Sequence, residues 1–380
     1  MQTTAMLSPN GQQDTEGDGP ATRMFVATLK GVVTLERPAP GAPWARTATT
    51  LEDRHVGALL MEPGSGKLFA GAHGGGGVWV SDDGTARSWR PVVNGLDRQN
   101  VYSLALRRRG GRTTLFVGVE PAAIYRSDDL GETWRELPAL RHVPGTEKWS
   151  FPAPPHIAHV KCMTVHPSAP ATLFACVEQG ALLRSDDDGE TWTEFDGYVW
   201  PDDATYHDVH RLTIDPRNHD VCYLATGVGL NRSDDGGVTW RALTSRRDRL
   251  GYPDFFSIDP RDPDVLYMAG ARTTPSQWRT DHFADAAVLK STDAGRTWRE
   301  LHGGLPSPIV GSIEAMAIHA WPGGATLSLA TATGEVYASD DGGESWACIA
   351  DGLAPVSKAG HYRSFTVPPA HPIPGAPAHA

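Results

Sequence analysis

The chain has 380 residues with 34 Lys+Arg against 45 Asp+Glu, a formal net charge of −11, and 40% of its residues are hydrophobic. No apolar run approaches the ~18 residues a membrane-spanning helix needs, so no membrane association is expected. The acidic balance, without a basic block, argues equally against a nucleic-acid partner. Cys162, Cys176, Cys222 and Cys348 include no Cys-x-x-Cys pair and make no disulfide framework.

Residues 1–22 are polar, with no cationic stretch leading into an apolar one, and read as a flexible N-terminal tail without a secretory signal. A cytoplasmic location is the resulting expectation. Two β-type runs follow at 24–29 and 31–35, and then Trp44. From there one pattern repeats. An apolar run (101–106, 160–165, 209–214, 313–318) meets a turn such as Asp-Pro-Arg-Asn at 215–218. A second run (68–71, 115–118, 173–176, 266–269) and a third then lead into an octapeptide.

The octapeptide reads Ser-Asp-Asp-Leu-Gly-Glu-Thr-Trp at 127–134 and Ser-Asp-Asp-Asp-Gly-Glu-Thr-Trp at 185–192. It returns at 233–240 and 291–298, with Ser for Thr at 339–346, and in a longer, degenerate form at 81–89. Ser and Asp side chains accept hydrogen bonds from nearby backbone, Gly supplies a positive φ, and Trp anchors the returning strand. Because these carboxylates recur in every repeat rather than converging, they are expected to be structural. The tryptophans Trp89, Trp134, Trp192, Trp240, Trp298 and Trp346 are 45, 58, 48, 58 and 48 residues apart, about the length of a four-stranded propeller blade. At the far end, residues 361–367 (His-Tyr-Arg-Ser-Phe-Thr-Val) match 159–165 (His-Val-Lys-Cys-Met-Thr-Val) by position. The reading is all-β: a single seven-bladed β-propeller over 23–368, closed by this C-terminal strand joining the N-terminal blade. A Pro/Ala-rich tail occupies 369–380.

The pattern Ser-x-Asp-x-Gly-x-Thr-Trp resembles the Asp-box, or BNR repeat, of sialidase- and xyloglucanase-like β-propellers. The resemblance covers residues 24–367. It extends to sortilin-type receptors and photosystem assembly factors, so it implies a fold before a function. The sialidase catalytic motifs have no match: the nearest string, Tyr-Arg-Ser-Phe at 362–365, stands at the wrong end of the chain. Xyloglucanases of this kind place a catalytic Asp at the end of a second strand, a type of position that Glu120 and Glu178 occupy here.

In a propeller the first strand of each blade lines the channel and starts at the upper face. The longest connections (135–158, 193–207, 241–252 and 271–288) all fall on that face and carry Trp149, Trp200 and Trp278, candidates to hold a sugar or aromatic substrate. Aligned on their last apolar residue, the first strands place two polar rows at the mouth. The upper row reads His55, Asn100, His159, Asp208, Tyr252, Ser312 and His361; the lower reads Gly57, Tyr102, Lys161, His210, Asp254, Glu314 and Arg363. His73, Glu120 and Glu178 end the second strands nearby.

Acid/base work falls to His210, Asp254, Glu314, Glu120, Glu178 and Tyr102, and substrate binding to Lys161, Arg363, Asp208 and Tyr252 beside the three tryptophans. His55, His73, His159 and His361 are candidate ligands for a divalent metal ion, since imidazole with carboxylate suits Zn, Mn or Fe. The expectation is an enzyme, hydrolase or lyase, acting on a small polar, anionic or sugar-like substrate at the upper mouth. The other reading is a non-catalytic propeller recognising a protein or glycan on the same face. Oligomeric state is left open.

Overall fold

The computed structural model describes residues 3–199, 207–358 and 360–366. Short runs rich in β-branched and aromatic residues, punctuated by Gly, Asp and Asn, favour strands joined by tight turns. They form seven sheets, the blades of a seven-bladed β-propeller. Blade 3 shows the pattern: Asn100–Arg109, Arg112–Glu120, Ala123–Ser127 and Arg135–Glu136 pair antiparallel in that order, the first lining the axis. The inner strands of the other blades are Val56–Met61 (blade 2), His159–Val165 (blade 4), Val209–Ile214 (blade 5), Tyr252–Ile258 (blade 6) and Ile313–Trp321 (blade 7). Among the described residues no helix is long and apolar enough to cross a membrane.

Each gap between neighbouring sheets holds its own apolar cluster. Between blades 3 and 4, Phe116, Ile124 and Leu137 meet Val160, Leu173 and Leu183. The gaps beside blade 1 are filled in the same way, by Leu35 with Val336 on one side and Phe25 with Leu59 on the other. The ring therefore closes without a free sheet edge. Each large side chain buried in these gaps contributes about 1.5–3 kcal/mol.

The octapeptides are the turns before the outermost strands. In blade 3 the Ser127 hydroxyl accepts from Gly131 N at 2.8 Å, and Asp129 accepts from Thr133 N at 2.9 Å and Thr133 Oγ1 at 2.6 Å. Trp134 Nε1 donates to Val92 O at 2.9 Å, reaching into the preceding blade. The serine and aspartate bonds recur in blades 4 to 7, with the carboxylates of Asp187, Asp235, Asp293 and Asp341, while Trp240 and Trp346 donate within their own turns. The threonine hydroxyls hold Asp235 and Asp293 down to about 2, consistent with carboxylates committed to the turn.

Two expectations about the chain ends are corrected. Residues 361–366 do not form the closing strand: the chain turns there, and Arg363–Thr366 is a short helix. The innermost strand of blade 1 is instead Thr4–Leu7, inside the segment expected to be a tail, and it runs parallel to Arg23–Thr28. Its alternation explains the choice. Ala5 and Leu7 enter the cluster against blade 7, while Met6 enters the one against blade 2.

The chain then turns back down the channel. Asn10 N and Gln12 N bond Gly57 O and Leu59 O of blade 2, and Asp14–Glu16 pairs with Ile318–Ala320 of blade 7. Residues 5–11 are buried, so the N-terminal segment fills the channel below the mouth. The C-terminal tail at 369–380 lies outside the described residues, as does Val367.

Candidate functional site

The six antiparallel inner strands share one irregularity. In each, pairing with the second strand slips by one residue near the upper end, and the residue left without a ladder partner is Gly57, Tyr102, Lys161, His210, Asp254 or Glu314. A bulge of this kind sets two residues opposite one and re-aims the extra side chain. The lower polar row of the sequence is thus the bulge row. The upper row pairs with the ends of the second strands, as His159 does with Glu178 and Asn100 with Glu120.

Above the N-terminal segment these residues make one ionic network. Lys161 Nζ donates to Glu178 Oε1 at 2.6 Å and to Asp254 Oδ1 at 3.3 Å. His159 Nε2 donates to Glu178 Oε2 at 2.7 Å. His210 Nδ1 donates to Pro253 O at 2.6 Å, while its Nε2 lies 3.3 Å from Asp208 Oδ1 and 3.8 Å from Glu178 Oε1. Glu314 accepts from Ser312 Oγ at 2.7 Å, His361 Nδ1 at 3.1 Å and Lys358 N at 3.1 Å.

The roof is the C-terminal segment. Leu29 N bonds Pro355 O, Ser357 O accepts from His55 Nε2 at 2.7 Å, and Lys358 drops its ammonium onto Asp254.

Charge is fixed by burial set against partners. Burial opposes ionisation of Glu178, but Lys161, Lys358 and the His159 hydrogen bond outweigh it and hold the carboxyl well below its usual range. Burial likewise works against Asp254, and Lys358, Lys161 and His210 outweigh it. Glu314 is lowered in the same way, with His361 as its main partner. For Lys358 burial would favour the neutral amine, yet Asp254, Glu178 and Glu314 push its pKa above the usual lysine range. Burial, reinforced by nearby carboxylates, pushes Tyr102 and Tyr252 up, and burial pulls His55 and His73 down.

The rim differs from the interior. Glu120 is 13% exposed against 1% for His159 and 2% for Glu178. Asn100 Nδ2 and Tyr102 OH hold Glu120 at 2.7 and 3.1 Å, Tyr102 stacks on the His159 ring at 3.7 Å, and Phe151 covers it at 5.1 Å. His159 Nδ1 faces Glu120 Oε2 at 3.7 Å and has no hydrogen-bond partner among the described residues. Beside them an open cleft of about 290 Å³ is lined by Pro121, Arg141, Thr146, Trp149, His156 and Ala158, among others. It starts one residue after Glu120 and ends one before His159.

The structure brings together His159, Lys161, Glu178, Asp208, His210, Tyr252, Asp254 and Glu314, with Glu120 and Tyr102 at the rim. Trp149 is half-buried and lines the cleft. Trp278 is fully buried, packed edge-on against Tyr252 and His361, so it braces the site and offers no face to a substrate. Trp200 lies outside the described residues. Arg363, expected in the channel, is exposed on the short C-terminal helix; with the C-terminal strand gone, its row position goes with it.

The four histidines proposed as metal ligands do not meet at a point. His55 is spent on Ser357, His361 on Glu314 and His159 on Glu178, and the Tyr102 ring packs between His73 and His159. Among the described residues the set able to share an ion is Glu178, Asp208 and His210. Sequence reasoning missed Lys358, which follows the last blade in a loop with no pattern to mark it.

No protein-family model matches the chain. A xyloglucanase of Acetivibrio thermocellus is 27% identical over 218 residues, covering 50% of this chain and 24% of that enzyme. A xyloglucanase of a Paenibacillus species is 26% identical over 242 residues, covering 57% of this chain and 22% of that enzyme. The chain thus matches less than a third of the length of either relative. Among solved structures, an ancestral GH74 enzyme superposes with a TM-score of 0.59 at 16% identity, over 78% of this chain and 38% of that one. The structure of YCF48 bound to D1 peptide gives 0.52 at 15% identity, over 85% of this chain and 91% of that one. At these identities the structural likenesses are of fold.

Proposed function

We propose that the chain is a glycoside-hydrolase-type enzyme acting on a short, polar, sugar-like substrate bound in the cleft beside Glu120 and His159. The observation that carries this reading is the junction of an open, Trp149-lined cleft with an accessible carboxylate backed by an oriented imidazole. The partial likeness to xyloglucanases supports a sugar as the substrate class.

Glu120 is the catalytic residue of this reading: its carboxyl gives its proton to the glycosidic oxygen as the C–O bond breaks, water bonds to the anomeric carbon, and the proton that water sheds returns to the Glu120 carboxylate. Tyr102 and Asn100 fix its carboxylate. Glu178, kept ionised by the lysines, accepts a hydrogen bond from His159 Nε2–H, so the Nδ1 lone pair faces Glu120 as an acceptor for its carboxyl proton. His159 and Glu178 are positioning residues.

The non-catalytic reading calls for a broad apolar patch on the rim and unperturbed ionisable groups in the channel. Among the described residues the large apolar side chain that stands exposed is Val238, in an octapeptide turn, and the channel carboxylates are strongly shifted.

The test is turnover of a panel of aryl glycosides and xyloglucan-type oligosaccharides by wild type and Glu120→Gln. Wild type is expected to hydrolyse at least one member, and the variant to lose roughly 100-fold or more in kcat with its Tm little changed. A panel untouched by wild type, or full activity in the variant, would overturn the reading.

A further inference from the structure

We infer that Glu178, Asp208 and His210 form a binding site for one divalent cation of the zinc or manganese class. One ligand atom from each lies within 4.8 Å of the others. The His210 Nε2 to Asp208 Oδ1 separation is 3.3 Å. A tetrahedral ion with bonds of 2.0–2.1 Å holds neighbouring ligand atoms about 3.3 Å apart. The separation to Glu178 Oε1, 3.8 Å, is a wider edge of the same figure.

The tautomer of His210 points the same way. A carbonyl oxygen only accepts, so the 2.6 Å bond to Pro253 O places the proton on Nδ1. That leaves Nε2 turned toward two carboxylate oxygens, and neither it nor Asp208 Oδ1 has a hydrogen-bond partner among the described residues, although the residues are only 1% and 5% exposed. A ring nitrogen and two carboxylate oxygens that face one another in a buried space are all satisfied by a cation held between them. An imidazole whose second nitrogen donates to a backbone carbonyl is the usual arrangement of a metal-bound histidine.

The local sequence builds the site. His210 is the bulged residue of its strand, which turns its ring to the axis. Across from Asp208, one residue beyond the end of the second strand Cys222–Thr226, stands Gly227, where a Cβ would come within 2.1 Å of Asp208 Oδ2. The glycine leaves the room the carboxylate occupies.

Charge favours a cation as well. Lys161 and Lys358 serve Glu178 and Asp254, and His159 and His361 bond Glu178 and Glu314, whereas buried Asp208 has, among the described residues, the His210 ring alone beside it. Lys161 already spans Glu178 and Asp254, so with an ion on Glu178 it keeps the Asp254 contact. This inference does not depend on the hydrolase reading.

The full-length chain, dialysed against EDTA and re-equilibrated with ZnCl2 or MnCl2, is expected to retain about one equivalent through gel filtration and to melt at higher temperature than the metal-free form. Asp208→Asn and His210→Gln should each weaken binding roughly tenfold or more. Cobalt(II) should give wild type a visible d–d band that Asp208→Asn lacks. If His210→Gln does not fold, Asp208→Asn and the cobalt spectrum of wild type decide. Wild type that takes up no zinc or manganese and shows no melting shift overturns the inference. So does undiminished binding in Asp208→Asn.

Discussion

Glu178 sits where burial and three cationic or hydrogen-bonding partners oppose one another, and the partners win. A carboxyl whose pKa falls on folding stabilises the fold above its unfolded value, about 4.3, and that contribution is lost as pH falls toward the folded value. Lys358 has the opposite sign. Raised on folding, it stabilises below about 10.4, and the contribution is lost as pH climbs through the higher folded value. Melting temperature against pH should therefore show a plateau between the two. Glu178→Gln should be less stable than wild type by roughly 3 kcal/mol at neutral pH, because it strips a partner from buried lysines, and the gap should narrow in acid. A gap that stays constant with pH would mean that Glu178 is not ionised in the fold. At this scale the sequence was informative. Polar residues at fixed offsets in repeated strands revealed the two rows, and Glu120 and Glu178 were legible as strand ends. Lys358 was not, because a residue in an irregular loop has no period to betray its neighbours.

Among the elements, the turns are the most strongly specified. Gly343 stands at φ +91°, and a Cβ there would come within 2.5 Å of Leu301 Cδ1. Gly343→Ala should cost about 1–3 kcal/mol, read from urea denaturation; an unchanged midpoint would show that the turn tolerates an L-residue without strain. Blade 2 already pays part of this, with Ala86 at φ 59° in the degenerate turn. These turns were legible because the chemistry of each is local. The closing strand was not. Residues 361–367 carry the apolar spacing of an inner strand, but the place they would fill is taken by Thr4–Leu7, whose side chains seal both neighbouring gaps. Pattern identifies what a segment can pair with; competition between two segments for one edge is settled only in three dimensions. The bulges were invisible for a related reason, since a slip of one residue depends on both partners of a ladder.

For the whole molecule, the ring turns six separate inner strands and both chain ends into one enclosed chamber. The N-terminal segment fills the channel from below, and the C-terminal segment roofs it with Lys358. The central claim is that residues more than a hundred positions apart, Asp254 and Lys358, meet there as a buried pair. A double-mutant cycle of Asp254→Asn and Lys358→Met, read by chemical denaturation, tests it most directly. A coupling of about 1–3 kcal/mol is the predicted result. Effects that add within about 0.5 kcal/mol would place Lys358 outside the chamber and contradict the account.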